Sequence, residues 1–195
     1  MPFNAKSGKF SANINAVEIG SGDKKITIGG ENVLPFYTFD APIENAPKVG
    51  VEITDGGLDA EPEFMKKYYE GCESVVDMAK KAAQMEGVDF LCFRMEGGDP
   101  NGANKSTEEL IAMVKDIADA VDLPLVVAGC KHAEKDAELL SKAAEVLDGK
   151  NAVLLAAKEE NYKTVGAAAG LAYKQIVGAE SAVDINLAKQ LNVLL

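Results

Sequence analysis

Apolar and polar positions follow two different rhythms along the chain, and the change comes near residue 48. Residues 10–30 alternate in period two, with Val17 and Ile19 on one side of Ser21-Gly22-Asp23-Lys24 and Ile26 and Ile28 on the other. Strict alternation about a turn-forming tetrapeptide predicts a β-hairpin. From Lys48 onward, short continuous apolar runs are followed by amphipathic segments, the pattern of βα units in a parallel sheet buried on both faces. The predicted strands are 48–54, 89–95, 124–130, 151–157 and 175–181, each bounded by Gly, Asp, Asn or Pro. They are expected to lie side by side in sequence order, with the hairpin outside their sheet.

The segments between the strands carry apolar residues at helical spacing. Tyr68, Cys72, Val75, Val76 and Ala79 predict one helix, and Leu110, Val114, Ile117 and Val121 a second. The second opens on Ser106-Thr107-Glu108-Glu109, a capping box in which Ser106 and Glu109 can satisfy the first unpaired amides. A third helix is predicted from about His132 to Leu147, with Gly149 placed to end it. A fourth begins near Asn161 and a fifth near Asp184. This order fits either an open doubly wound sheet or part of a (β/α)8 barrel, and periodicity alone does not choose between them. Length favours an incomplete barrel, because a whole one takes ~250 residues and this chain has 195. The expected organisation is a hairpin extension over 1–47 and a β/α barrel domain over 48–195 that breaks off after about five βα units.

Composition narrows the function. With 47% hydrophobic and 26% charged residues the chain can bury a core, and its net charge of −11 opposes binding to a nucleic-acid backbone or an anionic membrane. No run approaches the ~20 apolar residues of a membrane span, and the first residues lack the pattern of a signal peptide, so the expected location is cytoplasmic. Cys72, Cys92 and Cys130 are odd in number, widely spaced and without a C-x-x-C, which predicts buried thiols rather than disulfides, zinc or an iron–sulfur cluster.

In either architecture the loops after the strands' C-terminal ends form the functional face. The second, Glu96 through Asn104, places three glycines, two asparagines, two carboxylates and a proline in nine residues. It is either a long turn or a place where backbone approaches a ligand closely. No dinucleotide fingerprint or P-loop occurs. His132, the one histidine, falls in the first turn of a predicted helix, where it caps or faces solvent, and Glu159-Glu160 favour a helix N-terminus. No catalytic set emerges from these residues.

Three runs and one N-terminal segment together resemble a known family. Gly98-Asp99-Pro100-Asn101-Gly102-Ala103-Asn104, Glu159-Glu160-Asn161-Tyr162-Lys163-Thr164 and Asp184 through Asn192, with the hairpin and Leu34-Pro35-Phe36-Tyr37, are similar to the small (delta) subunit of the corrinoid iron–sulfur protein of the acetyl-CoA decarbonylase/synthase complex. The resemblance implies a TIM-barrel subunit without its own iron–sulfur cluster. Its partner is a large (gamma) subunit that carries cobalamin and a [4Fe–4S] cluster, with the corrinoid (cobalamin, a cobalt cofactor) shared at the interface. The implied role is that of a non-catalytic methyl-carrier subunit in the Wood–Ljungdahl (reductive acetyl-CoA) pathway of carbon fixation. The methyl group comes from a methyltetrahydrofolate or methyltetrahydropterin methyltransferase and goes to acetyl-CoA synthase/CO dehydrogenase. On that reading the corrinoid contacts fall to Gly97, Gly98, Asp99, Asn101, Gly102, Asn104, Asn161, Asp184 and Asn186. Two other classes stay open: a stand-alone pterin-dependent methyltransferase barrel using Asp55, Asp99 and Asn101, and a purely structural scaffold subunit.

Overall fold

Five of the predicted apolar runs are strands of one parallel sheet in a computed structural model that describes residues 8, 11, 13–33 and 42–195. The Leu34–Tyr37 segment lies outside the described residues. Strands β1 (Ala16–Ile19) and β2 (Ile26–Gly29) form the hairpin, antiparallel, with Val17 opposite Ile28 and Ile19 opposite Ile26. The sheet that follows contains β3 (Gly50–Thr54), β4 (Phe90–Arg94), β5 (Leu125–Ala128), β6 (Val153–Ala157) and β7 (Ile176–Ala179). These pair in the order β3-β4-β5-β6-β7, every pair parallel, with the hairpin a separate two-stranded sheet.

Alternation along each strand decides where the helices go. Ile53, Leu91, Phe93, Leu125, Val127 and Leu154 share one buried cluster with side chains of the helices. Those helices are α2 (Val75–Ala82), α3 (Thr107–Ala120), α4 (Ala133–Val146) and α5 (Tyr162–Val165), which runs on into a π-helical stretch over Gly166–Ala172. The intervening residues Cys92, Val126, Ala128 and Val153 belong to a second cluster, closed by Ile19 of the hairpin. A doubly wound sheet would carry helices on both faces and reverse its strand order partway. Helices on one face and strands in unbroken sequence order are five consecutive units of a (β/α) barrel.

The hairpin is anchored at the end where the strands begin. Gly20 donates its amide to the Asn151 carbonyl at 2.8 Å, and Asn151 Nδ2 donates to the Glu18 carbonyl at 2.8 Å and the Gly20 carbonyl at 3.3 Å. Gly20 has φ 85°, and a Cβ there would come within 2.7 Å of Pro124 Cγ, so only glycine fits.

Local chemistry fixes the helix ends. Ser106 Oγ accepts from the Glu109 amide at 3.2 Å, which is the forward half of the expected capping box. His132 Nδ1 accepts from the Lys135 amide at 3.4 Å, and Gly149 has φ 77° past the end of α4. The first helix differs from its prediction. It is divided into α1 (Glu63–Tyr68) and α2, because Gly71 turns the chain at φ 87° and Ser74 starts a new helix by accepting from the Asp77 amide at 3.1 Å. A turn glycine followed by a Ser-x-x-Asp cap outweighs apolar spacing. The last helix, α6 (Ile185–Leu194), starts where Asp184 Oδ1 accepts from the amides of Asn186 and Leu187. Among the described residues no helix is long and apolar enough to cross a membrane.

Candidate functional site

The loops that leave the C-terminal ends of β3 to β6 are held by buried polar side chains. Asp55, 4% exposed at the end of β3, accepts the Gly97 amide at Oδ1 (2.8 Å), while its Oδ2 lies 2.8 Å from Lys105 Nζ. Lys105 also donates to the Asp55 carbonyl at 2.8 Å, so one lysine binds the β3 loop to the β4 loop twice. Asp136, 2% exposed in the first turn of α4, accepts from the amides of Cys130 at 2.6 Å and Lys131 at 3.1 Å. Asn161, also 4% exposed, accepts the Lys158 amide at 2.7 Å and donates to the Ala133 carbonyl at 3.1 Å. Buried polar groups cost free energy unless paired, and here each is spent on fixing a loop.

These stitches explain two loop glycines. A Cβ on Gly97 would enter the Asp55 carboxylate, and one on Gly98 would lie 2.9 Å from Leu139 Cδ1 and 3.0 Å from Leu110 Cδ1. The tip is organised by Asp99, whose Oδ1 accepts from Asn101 N at 2.9 Å and Nδ2 at 3.2 Å, and whose carbonyl accepts from the amides of Gly102 and Asn104. Asn104 takes a left-handed φ of 48°, which asparagine tolerates. Asn101, Gly102 and Asn104 are exposed, as are Asp184 and Asn186 at the start of α6. The nine residues singled out in sequence therefore share one end of the sheet but sit on three separate loops. The β4 and β7 loops are three strand spacings apart, or about 14 Å.

Between those loops the structure gathers charged residues that periodic reading passes over. On the sheet face opposite the helices, Arg94 Nε and Nη2 donate to Glu52 at 3.0 and 2.8 Å, a two-pronged pair between β4 and β3. The hydrogen bonds from Arg94 hold the Glu52 carboxyl below its usual range against the opposing effect of burial. Above this pair lies a hollow of about 360 Å³ whose lining includes Arg94, Gly129, Lys131, Leu155, Lys158 and Glu180. A signal was present: Glu52 and Arg94 interrupt apolar runs at alternate positions, which places both on the side facing away from the helices.

Cys92 and Cys130 are buried, as the sequence predicts, whereas Cys72 is only partly buried. Burial, reinforced by the neighbouring Glu52 carboxylate, pushes the Cys92 thiol up to about 12, and burial pushes Cys130 to about 11. Thiols held that far above neutrality are poor nucleophiles. Among the described residues no group of three or more His, Cys, Asp or Glu side chains is arranged to hold a metal ion.

A one-sided (β/α) sheet with a hairpin at one end and a polar, loop-built rim at the other defines a barrel-type fold. The chain belongs to the CO dehydrogenase/acetyl-CoA synthase delta subunit family, whose profile matches residues 16–195. It is 32% identical over 173 residues to the acetyl-CoA decarbonylase/synthase complex subunit delta 1 of Methanosarcina thermophila, covering 89% of this chain and 39% of that protein. Subunit delta of Methanothermobacter thermautotrophicus is 30% identical over 193 residues, with 97% and 49% covered. That of Methanocaldococcus jannaschii is 32% identical over 175 residues, with 89% and 42% covered. The chain thus spans between about two fifths and half of the length of these relatives.

Proposed function

We propose that this chain supplies barrel units of a non-catalytic delta-type subunit whose rim of C-terminal loops lies against the corrinoid of a larger, cobalamin- and [4Fe–4S]-binding subunit. The observation that carries the reading is membership of the delta subunit family over residues 16–195. In this role the protein is cytoplasmic and works with a methyltetrahydropterin or methyltetrahydrofolate methyltransferase on one side and acetyl-CoA synthase/CO dehydrogenase on the other. When bound, the corrinoid supplies a cobalt that accepts and releases a methyl group.

The rim fits such a group unevenly. Gly97, Gly98 and Asn161 are consumed by the fold, their space or their amide atoms already occupied by Asp55, by Leu110 and Leu139, and by Lys158 and Ala133. Contact with a flat, amide-fringed ring falls instead to the exposed tip of Asn101, Gly102 and Asn104. Asp99 orders that tip, and Asp184 and Asn186 stand further along the rim. Neutral amides can exchange hydrogen bonds with a corrin's own amides without burying an unpaired charge.

The test replaces Asn101 and Asn104 together with alanine in the assembled complex of the full polypeptide and its large subunit. Corrinoid retention and the rate of cobalt methylation by the donor methyltransferase are then measured. Loss of two hydrogen bonds of ordinary strength predicts a fall of about tenfold in one or both. Wild-type values for both would leave this tip as a turn and return the subunit to a scaffold role.

A further inference from the structure

The hollow at the strand ends brings together cations from three consecutive units of a chain whose net charge is −11. Arg94 comes from β4, Lys131 from the loop after β5 and Lys158 from the end of β6. The wall between them is made of small residues, Ala128, Gly129, Ala156 and Ala179, with Leu155 the one large apolar side chain. The lining also carries the carboxylates of Asp136 and Glu180, so the hollow above the Glu52–Arg94 pair is framed by three cations and two carboxylates.

Lys131 is the residue that a structural account does not absorb. It is exposed and makes no ion pair within 4 Å among the described residues, although its charge helps to hold the Glu52 carboxyl low, and its backbone is held at φ 75°, a region costly for a side chain with a Cβ. The restraint is deliberate in its chemistry: buried Asp136 takes the amides of both Cys130 and Lys131, and Gly129 leaves room for that carboxylate. Strain maintained by surrounding structure at the mouth of a hollow is a pointer to function. The carboxylates nearby are already engaged, Glu52 by Arg94, Glu180 by Lys158 at 3.5 Å, and Asp136 by the two amides. Arg94 spends Nε and Nη2 on Glu52, which fixes the guanidinium plane.

We infer that this hollow is a binding site for a compact oxyanion, a phosphate or carboxylate group, with Lys131 as its main counter-charge and Arg94 and Lys158 as flanking donors. A volume of about 360 Å³ admits such a group together with the first atoms of the molecule that bears it. The inference stands apart from the corrinoid reading, because it concerns only side chains of this chain and a charge they would neutralise.

The experiment titrates the full polypeptide, free of corrinoid and at low ionic strength, with inorganic phosphate in one arm and glutarate in the other, by calorimetry. One-site saturable binding of at least one probe is expected, and the stronger arm identifies the group as phosphate or carboxylate. Lys131→Gly removes the charge while suiting the left-handed backbone, so it should melt no lower than the parent and bind about tenfold or more weakly. Lys131→Arg should keep the affinity. Absence of saturable binding in both arms, or equal affinity in Lys131→Gly, would overturn the site whatever becomes of the corrinoid contact.

Discussion

The smallest decisive feature of this protein is the space left by a missing Cβ. Gly129 is followed by two amides that both point at Asp136, and the carboxylate occupies the volume a side chain would fill. Gly129→Ala should therefore cost about 2–3 kcal/mol, combining forced displacement in a packed region with buried amides that lose their acceptor. Gly170→Ala provides the contrast, because the nearest atom to its new Cβ is Val177 Cγ2 at 3.8 Å, and it should be close to neutral. Chemical denaturation of the two variants checks the difference. Residue type alone reveals that a glycine-rich loop is special, but not why. Gly97 and Gly98 read in sequence as places for a ligand to approach, whereas their neighbours turn out to be Asp55 and two leucines drawn from α3 and α4. That information is tertiary: Asp55 lies 42 residues from Gly97. Lys131 was hidden for the same reason, since its left-handed backbone is held by a carboxylate five residues further on.

At the scale of elements, legibility followed the strength of local signals. The hairpin, the five strands and the starts of α3, α4 and α6 announce themselves through alternation and capping residues, and each is found within a few positions of its expected place. The long region between β3 and β4 misleads, because Tyr68 to Ala79 keeps helical spacing across a real break. Ser74 decides that break by taking the Asp77 amide with its hydroxyl, which in turn donates to the Asp77 carboxylate at 2.7 Å. Ser74→Ala should lower stability by about 1 kcal/mol, the usual worth of an N-cap, and Ser74→Thr, which keeps the hydroxyl that also donates to Asp77, should recover most of it. Thermal melts of the pair distinguish a cap from a general loss of packing, since restoring the hydroxyl would not repair a packing defect. The choice between barrel and doubly wound sheet also belongs to this scale. It was open in sequence because buried strands read as continuous apolar runs on either plan. One-sided packing settles it: alternate residues of the same strands meet helices in one direction and Ile19 of the hairpin in the other.

The whole molecule is organised by which of its surfaces are closed. One end of the sheet is shut by the hairpin and one face by the helices, while β3 and β7 are the sheet's edges among the described residues. Beside β7, Leu171 is 81% exposed and Leu194 56%, both lining a cavity of about 570 Å³ with Ile176 and Val177. An exposed strand edge next to apolar side chains recruits further chain, because it offers unpaired amides and carbonyls along with surface that gains by leaving water. These 195 residues expressed by themselves should therefore associate in solution, with a molecular weight by light scattering that rises with concentration. Leu171→Glu should suppress that rise, since it places a charge where the recruited surface would pack and Leu171 belongs to neither buried cluster. The variant's far-ultraviolet circular dichroism should match the parent's, which separates loss of association from loss of fold. A concentration-independent monomer for the unmodified chain would mean that the edge beside β7 is already satisfied, and that the apolar residues around it serve the interior of this molecule.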